Sequence, residues 1–329
     1  MGIITSKESA PKWFDGFVEL LPDLQGKVIA VTGCTTGLGY VFARTCIQKN
    51  AAAVILLNRS SERAEAAEKS LKEHVNSDKT VVETIACDLQ DFASVRKAAA
   101  QLKEKYDAVD VLCNNAGIMA FPDEATVDGY DVQMQTNHLS HFLLTKELFP
   151  LLQRAKERRG SARIVNHSSF MRNRPQTPLE KKYMEKKGGD LGGSGSIAMW
   201  ERYHQTKLAN SVFTSALQDR LKGSGILANV AAPGYSYTDL QSTSPAMSGF
   251  LLWSRPFMSQ SVADGCMPLL AAAFLPSSST TEKTMIWEPC RMRLTGPAAE
   301  YELEEMSTKK EYQDMLWAAS EEACGKFDI

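Results

Sequence analysis

The chain has 329 residues, 43% of them hydrophobic and 23% charged, with a net charge of −2. That is the composition of a soluble globular protein long enough to bury a full core, and it supplies no basic face for nucleic acid. The seven cysteines are odd in number and contain no C-x-x-C, and the five histidines form no cluster of zinc spacing, so buried free thiols in a cytoplasmic, reducing compartment are expected and a metal site is not.

The N-terminal "MGIITSK" fits the N-myristoylation pattern at Gly2, with a plain disordered start as the alternative. One acyl chain would give weak, reversible membrane association of an otherwise cytoplasmic protein. "WFDGFVELL" is partly helical in period and would pack on the domain or touch a membrane surface. "GKVIAVTG" (26–33) is a short apolar run ending in glycine, the pattern of a buried parallel strand. A helix follows ("LGYVFARTCIQKNA"), then a second strand ("AAVILLNR"), a serine-capped helix ("SERAEAAEKSLKEHV"), a third strand ("VVETIACDL") and a helix capped by Asp91. "VDVLCNNAG" is a fourth strand running into a turn. Residues 126–157 read as one long helical stretch and "ARIVNHSS" as a fifth strand. Residues 172–196 are polar and glycine-rich, which predicts a long, partly mobile loop. A helix carrying Tyr203 comes next, then "GILANVAAPG" as a sixth strand.

Strands alternating with helices predict an α/β fold: a Rossmann-type, doubly wound parallel sheet with helices on both faces, in a single domain. The expected organisation is an N-terminal extension (1–25), a dinucleotide-binding catalytic region (26–240), and a C-terminal part (241–329) forming a substrate lid and helices packed on the same domain. The apolar 241–275 segment suits a lid over a hydrophobic small molecule; core packing or a dimer face are its alternatives. Monomer and homodimer are both compatible with the sequence.

"TGCTTGLGY" lies between the first strand and the first helix, with Gly33, Gly37 and Gly39 spaced T-G-x-x-x-G-x-G. In that position a glycine turn lets backbone approach a pyrophosphate at a helix N-terminus. An NAD site usually has an acid at the end of the next strand, about 20 residues past the glycines. Here stand Asn58, which would not repel a phosphate, and Arg59, which can fork onto one. NADP(H) is therefore the expected cofactor, ahead of NAD(H). In "RYHQTKLAN" (202–210), Tyr203 and Lys207 are four apart and share a helix face, with Leu208/Val212 and Ala209/Phe213 as an apolar side.

Taken in order, "TGCTTGLG", "CDL" (87–89), "NNAG" (114–117), "TNHLSHFLLT" (136–145), "RIVNHSS" (163–169), "YHQTK" (203–207) and "PGYSYT" (233–238) resemble a short-chain dehydrogenase/reductase, and within that family the retinol dehydrogenase-like group. The resemblance covers roughly residues 26–240. It implies Tyr203 as the catalytic acid/base, Lys207 as its partner and a ligand of the nicotinamide ribose, and Ser169 (with Ser168 as fallback) as the serine bonding the substrate oxygen. Asn137 matches the asparagine that holds a water beside the lysine. A fixed ammonium is expected to lower the tyrosine from its usual value near 10. The cofactor would be bound by Gly33, Thr35, Thr36, Gly37, Leu38 and Gly39, by Asn58 and Arg59, by Asp88 and Leu89 near the adenine, by Asn115, Ala116 and Gly117 in the following turn, and by Pro233, Gly234 and Thr238 beside the nicotinamide. The implied activity is NADPH-dependent interconversion of a carbonyl and an alcohol. The alternatives are reduction of a C=C bond, as in protochlorophyllide reductases, and dinucleotide sensing without turnover. The stretch between Ser169 and Tyr203 is longer than in minimal members of the family, beside where a substrate would enter.

Overall fold

A computed structural model describes residues 10–76, 80–174, 176–236, 259–279 and 283–329. The chain forms an eight-stranded sheet in the order β3-β2-β1-β4-β5-β6-β7-β8. The strands are β1 Val28–Thr32, β2 Ala53–Asn58, β3 Val81–Ala86, β4 Val111–Asn114, β5 Ala162–His167, β6 Ile226–Ala231, β7 Met285–Arg291 and β8 Thr295–Glu302. Strands β1 to β7 pair in parallel and β8 returns antiparallel on β7. The helices are α1 Phe14–Glu19, α2 Gly37–Gln48, α3 Glu62–Lys72, α4 Phe92–Lys105, α5 Val132–Met134, α6 Ser140–Arg159, α7 Ser196–Arg220, α8 Val262–Phe274, α9 Glu305–Thr308 and α10 Lys310–Cys324.

Two apolar cores lie on opposite faces of the sheet. Helices α4, α6, α7 and α10 close one, where Phe142, Phe213, Trp317 and Phe327 interlock. Helices α1, α2 and α8 close the other. This is the doubly wound arrangement, and its crevice lies where neighbours leave β1 in opposite directions, to β2 and to β4.

The N-terminal stretch packs on the domain. Phe14 and Phe17 are buried, and the buried carboxylate of Asp264, in the first turn of α8, accepts bonds from the backbone N–H groups of Lys12, Trp13 and Phe14 at 2.9–3.2 Å. Gly2 lies outside the described residues, as do 241–258 of the expected lid. Within that segment α8 is core packing, buried against α2.

Three expectations need correcting. Residues 126–157 are not one helix. Gly129 adopts φ 88°, Ala125 bridges to Asp131, and Asp131 caps a helical turn, α5, that passes through a π-helical turn (Gln135–Leu139) into α6. The sheet also has two more strands than the six expected. Pro289 interrupts β7 at a register shift, and the β7–β8 turn is Met292-Arg293 rather than the Asn-Gly that announces a hairpin. The segment 172–196 is held in place by side chains from α7 and from the turn before α5. His204 Nε2 meets Thr177 O at 3.3 Å, Gln205 Nε2 donates to Pro178 O at 2.8 Å, and Arg202 donates to the carbonyls of Gly193 and Leu191 at 2.9 and 3.3 Å. The Asp123 carboxylate accepts from the N–H groups of Gly189, Leu191 and Gly193. Arg202 and Asp131 are each 1% exposed, with Nε 3.2 Å from Oδ2 in an ion pair that lacks hydrogen-bond angles.

Removing the Arg202 guanidinium leaves Asp131 and Asp123 buried without their cation. Arg202→Met is expected to lower the unfolding free energy by about 3–5 kcal/mol, the scale for breaking a buried pair from one side. Urea melts measure it, together with faster amide exchange at Gly189, Leu191 and Gly193. Unchanged stability and exchange would mean that this arginine does not hold the segment.

Candidate active site

The C-terminal ends of β1 to β6 open into one cleft of about 680 Å³. Its floor is the glycine turn. Thr36 caps α2 without a side-chain bond, so the N–H groups of the first turn face the cleft. A Cβ on Gly39 would come within 2.2 Å of Gly33 O and 2.5 Å of Asn115 Nδ2, so only glycine lets the helix start this close to the strand. Asn115 ties the two sides together, its Nδ2 donating to Thr32 O at 2.8 Å and Gly33 O at 3.2 Å.

One end of the cleft is polar. Asn58 ends β2 and Arg59 follows it, Asp88 and Leu89 follow β3, and Arg63 in the first turn of α3 donates to Thr36 Oγ1 at 2.8 Å. Asn58 is buried. Its Oδ1 accepts from Cys34 N at 2.8 Å while its Nδ2 has no partner. The other end is apolar, walled by Met119, Phe121, Phe170, Met171 and Trp200, with the Trp200 ring edge-on to Tyr203 at 5.9 Å.

Tyr203 and Lys207 project from α7, which is buried on nearly all sides rather than along one apolar face. Lys207 Nζ donates to His167 O at 3.2 Å and lies 5.7 Å from the centre of the Tyr203 ring. Burial pushes the ammonium down to about 8. Burial also pushes the Tyr203 phenol up from its ordinary value, against a smaller downward pull from a hydrogen bond with Ser169. The lowering expected from the adjacent lysine does not appear; loss of water dominates and favours the protonated phenol.

The two serines separate cleanly. Ser168 Oγ is fully buried, donating to Lys207 O at 2.8 Å and bonded to Ser211 Oγ at 2.9 Å. Ser169 caps the 3₁₀ turn Phe170–Asn173, accepts from Met171 N at 3.2 Å and lines the cleft with Tyr203. Asn137 stands behind the cleft rather than in it. Its Oδ1 accepts from Ile118 N at 2.8 Å, and its Nδ2 donates to Ile118 O and Thr206 Oγ1, each at 2.9 Å. With both amide hydrogens committed, its side chain clamps the turn after β4.

Most of these residues line one cleft, and similar proteins show the family to which the chain belongs. Residues 27–183 match the short chain dehydrogenase family. A polyprenol dehydrogenase of Homo sapiens is 30% identical over 331 residues, covering 95% of this chain and 90% of that one. The chain belongs to the short-chain dehydrogenase/reductase family. Its likeness to retinol dehydrogenase 11 of Homo sapiens, 35% identical over 70% of this chain and 66% of the relative, places it in the retinol dehydrogenase-like group. An uncharacterized protein from Mycobacterium paratuberculosis shares the fold with a TM-score of 0.70 at 29% identity, over 95% of this chain and 98% of that one. Within this short-chain dehydrogenase/reductase, every site residue read from the sequence lines the cleft except Asn137, behind it, and Thr238, which lies outside the described residues. The reading missed Arg63. Its position, one helical turn past Arg59 at the start of a helix, was the available signal. It also missed the apolar wall, whose methionines and tryptophan carry no spacing of their own.

Three histidines are buried in neutral form. Burial pushes His138 and His167 down to about 3 and His141 down to about 4. His141 links Thr32 Oγ1 to Asn137 O, at 3.0 Å to each, and His167 Nδ1 meets Asn115 O at 3.1 Å. The folded values lie below the ordinary value of about 6.5, so the unfolded chain binds more protons and stability falls as the pH drops below 6.5. Asp131, raised to about 6 by burial, opposes this, because its folded form takes up a proton first. Three histidines against one aspartate leave about two protons taken up on unfolding, a loss of about 3 kcal/mol per pH unit between roughly pH 6 and 4. Urea denaturation across that range is expected to show this slope, levelling off near pH 7. A flat profile would mean that the histidines are not held neutral.

Proposed function

We propose that the chain is an NADPH-dependent oxidoreductase that reduces a carbonyl of a hydrophobic small molecule, or oxidises the corresponding alcohol. The observation that carries the reading is that Ser169, Tyr203 and Lys207 line one end of a single cleft, beside an apolar wall, while Arg59 and Arg63 frame its opposite end.

The residues present suit a dinucleotide. The open first turn of α2 and the cradle at Gly33 and Gly39 match a pyrophosphate, and the unpartnered Asn58 Nδ2 is a buried donor awaiting an acceptor. Gly33 and Thr35 to Gly39 would hold the pyrophosphate, Asn58 and Arg59 the adenosine ribose with its 2′-phosphate, and Asp88 and Leu89 the adenine. Asn115, Ala116, Gly117, Lys207, Pro233 and Gly234 would hold the nicotinamide half. Bound there, the cofactor supplies the hydride in reduction and accepts it in oxidation.

The chain's own residues do the rest. Ser169 Oγ donates a hydrogen bond to the substrate oxygen and steadies the charge that develops on it. Tyr203, kept protonated by its burial, is aimed at the same oxygen and gives it the proton; in the oxidative direction it takes the proton back. Lys207 places a cation beneath the tyrosine and offsets the phenolate left after transfer. Met119, Met171 and Trp200 exclude water and take the apolar body of the substrate. Tyr203→Phe keeps the ring and its packing but removes the proton. Turnover is expected to fall at least about 100-fold with cofactor affinity retained. A purified Tyr203→Phe protein with near-normal turnover would remove the tyrosine from the chemistry.

NADPH preference rests on the end of β2. Asn58 stands where an acid would repel the 2′-phosphate, and Arg59 follows it, exposed at the cleft. A charge-assisted contact contributes about 1.5–3 kcal/mol, so Arg59→Ala is expected to weaken NADPH about 10- to 150-fold and leave NADH nearly unchanged. Michaelis constants for both cofactors decide it. Equal weakening of the two would show that Arg59 does not read the phosphate.

A further inference from the structure

We propose that Arg172 is the positioning residue for Ser169, holding it through a partly buried four-charge cluster seated on the β7–β8 hairpin. The inference rests on the roles given above to Ser169 and Tyr203.

Arg172 is 1% exposed, one turn past Ser169. Its backbone N–H and its Nη1 both donate to Ser169 O, each at 3.0 Å. The rest of the guanidinium forks onto two carboxylates. Nη1 and Nη2 reach Glu288 at 2.9 and 3.1 Å, and Nε and Nη2 reach Glu304 at 3.0 and 2.6 Å. All five of its N–H groups are thereby committed. Arg293 closes the cluster from outside, with Nη1 at 3.0 Å from Glu288 and 2.6 Å from Glu304. Two cations face two carboxylates. Stability alone does not account for such a group, since a packed apolar replacement is often as stable. What a planar, fully bonded fork supplies is orientation.

The hairpin turn points the same way. Met292 and Arg293 hold φ of 53° and 59°, a left-handed conformation that disfavours residues with a side chain, and Met292 is exposed. The strained turn brings Arg293 to the carboxylates, and strain of this kind persists where the surroundings over-determine it. The next residue supports the other wall of the cleft. Leu294 O accepts from Tyr235 N at 2.8 Å, and a Cβ on Gly234 would lie 2.2 Å from that oxygen. One hairpin thus backs both Ser169 and the Pro233–Gly234 segment.

The test measures kcat and cofactor Kd for Arg172→Lys, Glu304→Gln and Arg293→Gly, each alone and combined with Ser169→Ala. Arg293→Gly relieves the turn while removing the outer cation, so it decides the matter should the Arg172 variant not fold. A misplaced Ser169 is expected to cost about 10- to 100-fold in kcat, with Kd for NADPH kept within about twofold in Arg172→Lys and Glu304→Gln, which leave the hairpin turn unaltered. In the Ser169→Ala background the same substitutions are expected to change kcat by less than about twofold, because the group they position is gone. Losses equally large in both backgrounds, or full kcat in the folded single variants, would overturn the proposal. Full turnover of Ser169→Ala alone would instead overturn the site assignment on which it rests.

Discussion

Asn137 bonds the backbone of a single residue with both ends of its amide, accepting from Ile118 N and donating to Ile118 O, and its second N–H goes to Thr206 on α7. The Asn137 and Thr206 side chains are fully buried. Breaking it would strand buried donors and acceptors at about 1–3 kcal/mol each. It joins three elements whose ends meet only at the cleft: the Asn115–Gly117 turn, the π-helical turn and the helix bearing Tyr203 and Lys207. The π turn belongs to the same device, since π turns interrupt helices mostly where function requires it. Here it puts Asn137 and His141 on the side facing β1 and β4, where His141 reaches Thr32.

Burial follows from that tight join and shapes the acid–base chemistry. Lys207 is driven down to about 8 and Tyr203 is driven up, so at neutral pH a protonated phenol sits above a cation that titrates nearby. A tyrosine in that state suits giving a proton to a carbonyl oxygen. The neighbouring serines divide the labour: Ser168 locks β5 to α7, while Ser169, one residue on, leaves the strand and faces the cleft.

Much of this was legible from the sequence because parallel strands buried on both faces appear as plain apolar runs ending in glycine or polar turns. Strands β1 to β6, the glycine turn, Asn58, Arg59, Ser169, Tyr203 and Lys207 all carried local signals. What escaped depends on partners distant in the chain. Strands β7 and β8 lack alternation and a recognisable turn, since Pro289 sits at a bulge and the turn residues are held left-handed by ion pairs. The 172–196 segment looks loose by composition, yet Arg202 and Asp123, outside or at the far end of any local window, fix it. Arg172 looked like one basic residue in a polar loop, because its carboxylates lie more than a hundred positions away. The π turn is invisible to periodicity, as one extra residue per turn leaves the apolar pattern nearly intact.

Carbonyl reduction at the Ser169–Tyr203 end of the cleft is the central claim. It is tested most directly by following the hydride. The protein would be incubated with NADPH carrying deuterium at the transferable position and a panel of hydrophobic aldehydes and ketones, and the products located by mass fragmentation. Deuterium on the carbon that bears the new hydroxyl is the predicted result. Deuterium on a former C=C carbon, or none transferred to any carbonyl compound of the panel, would contradict it.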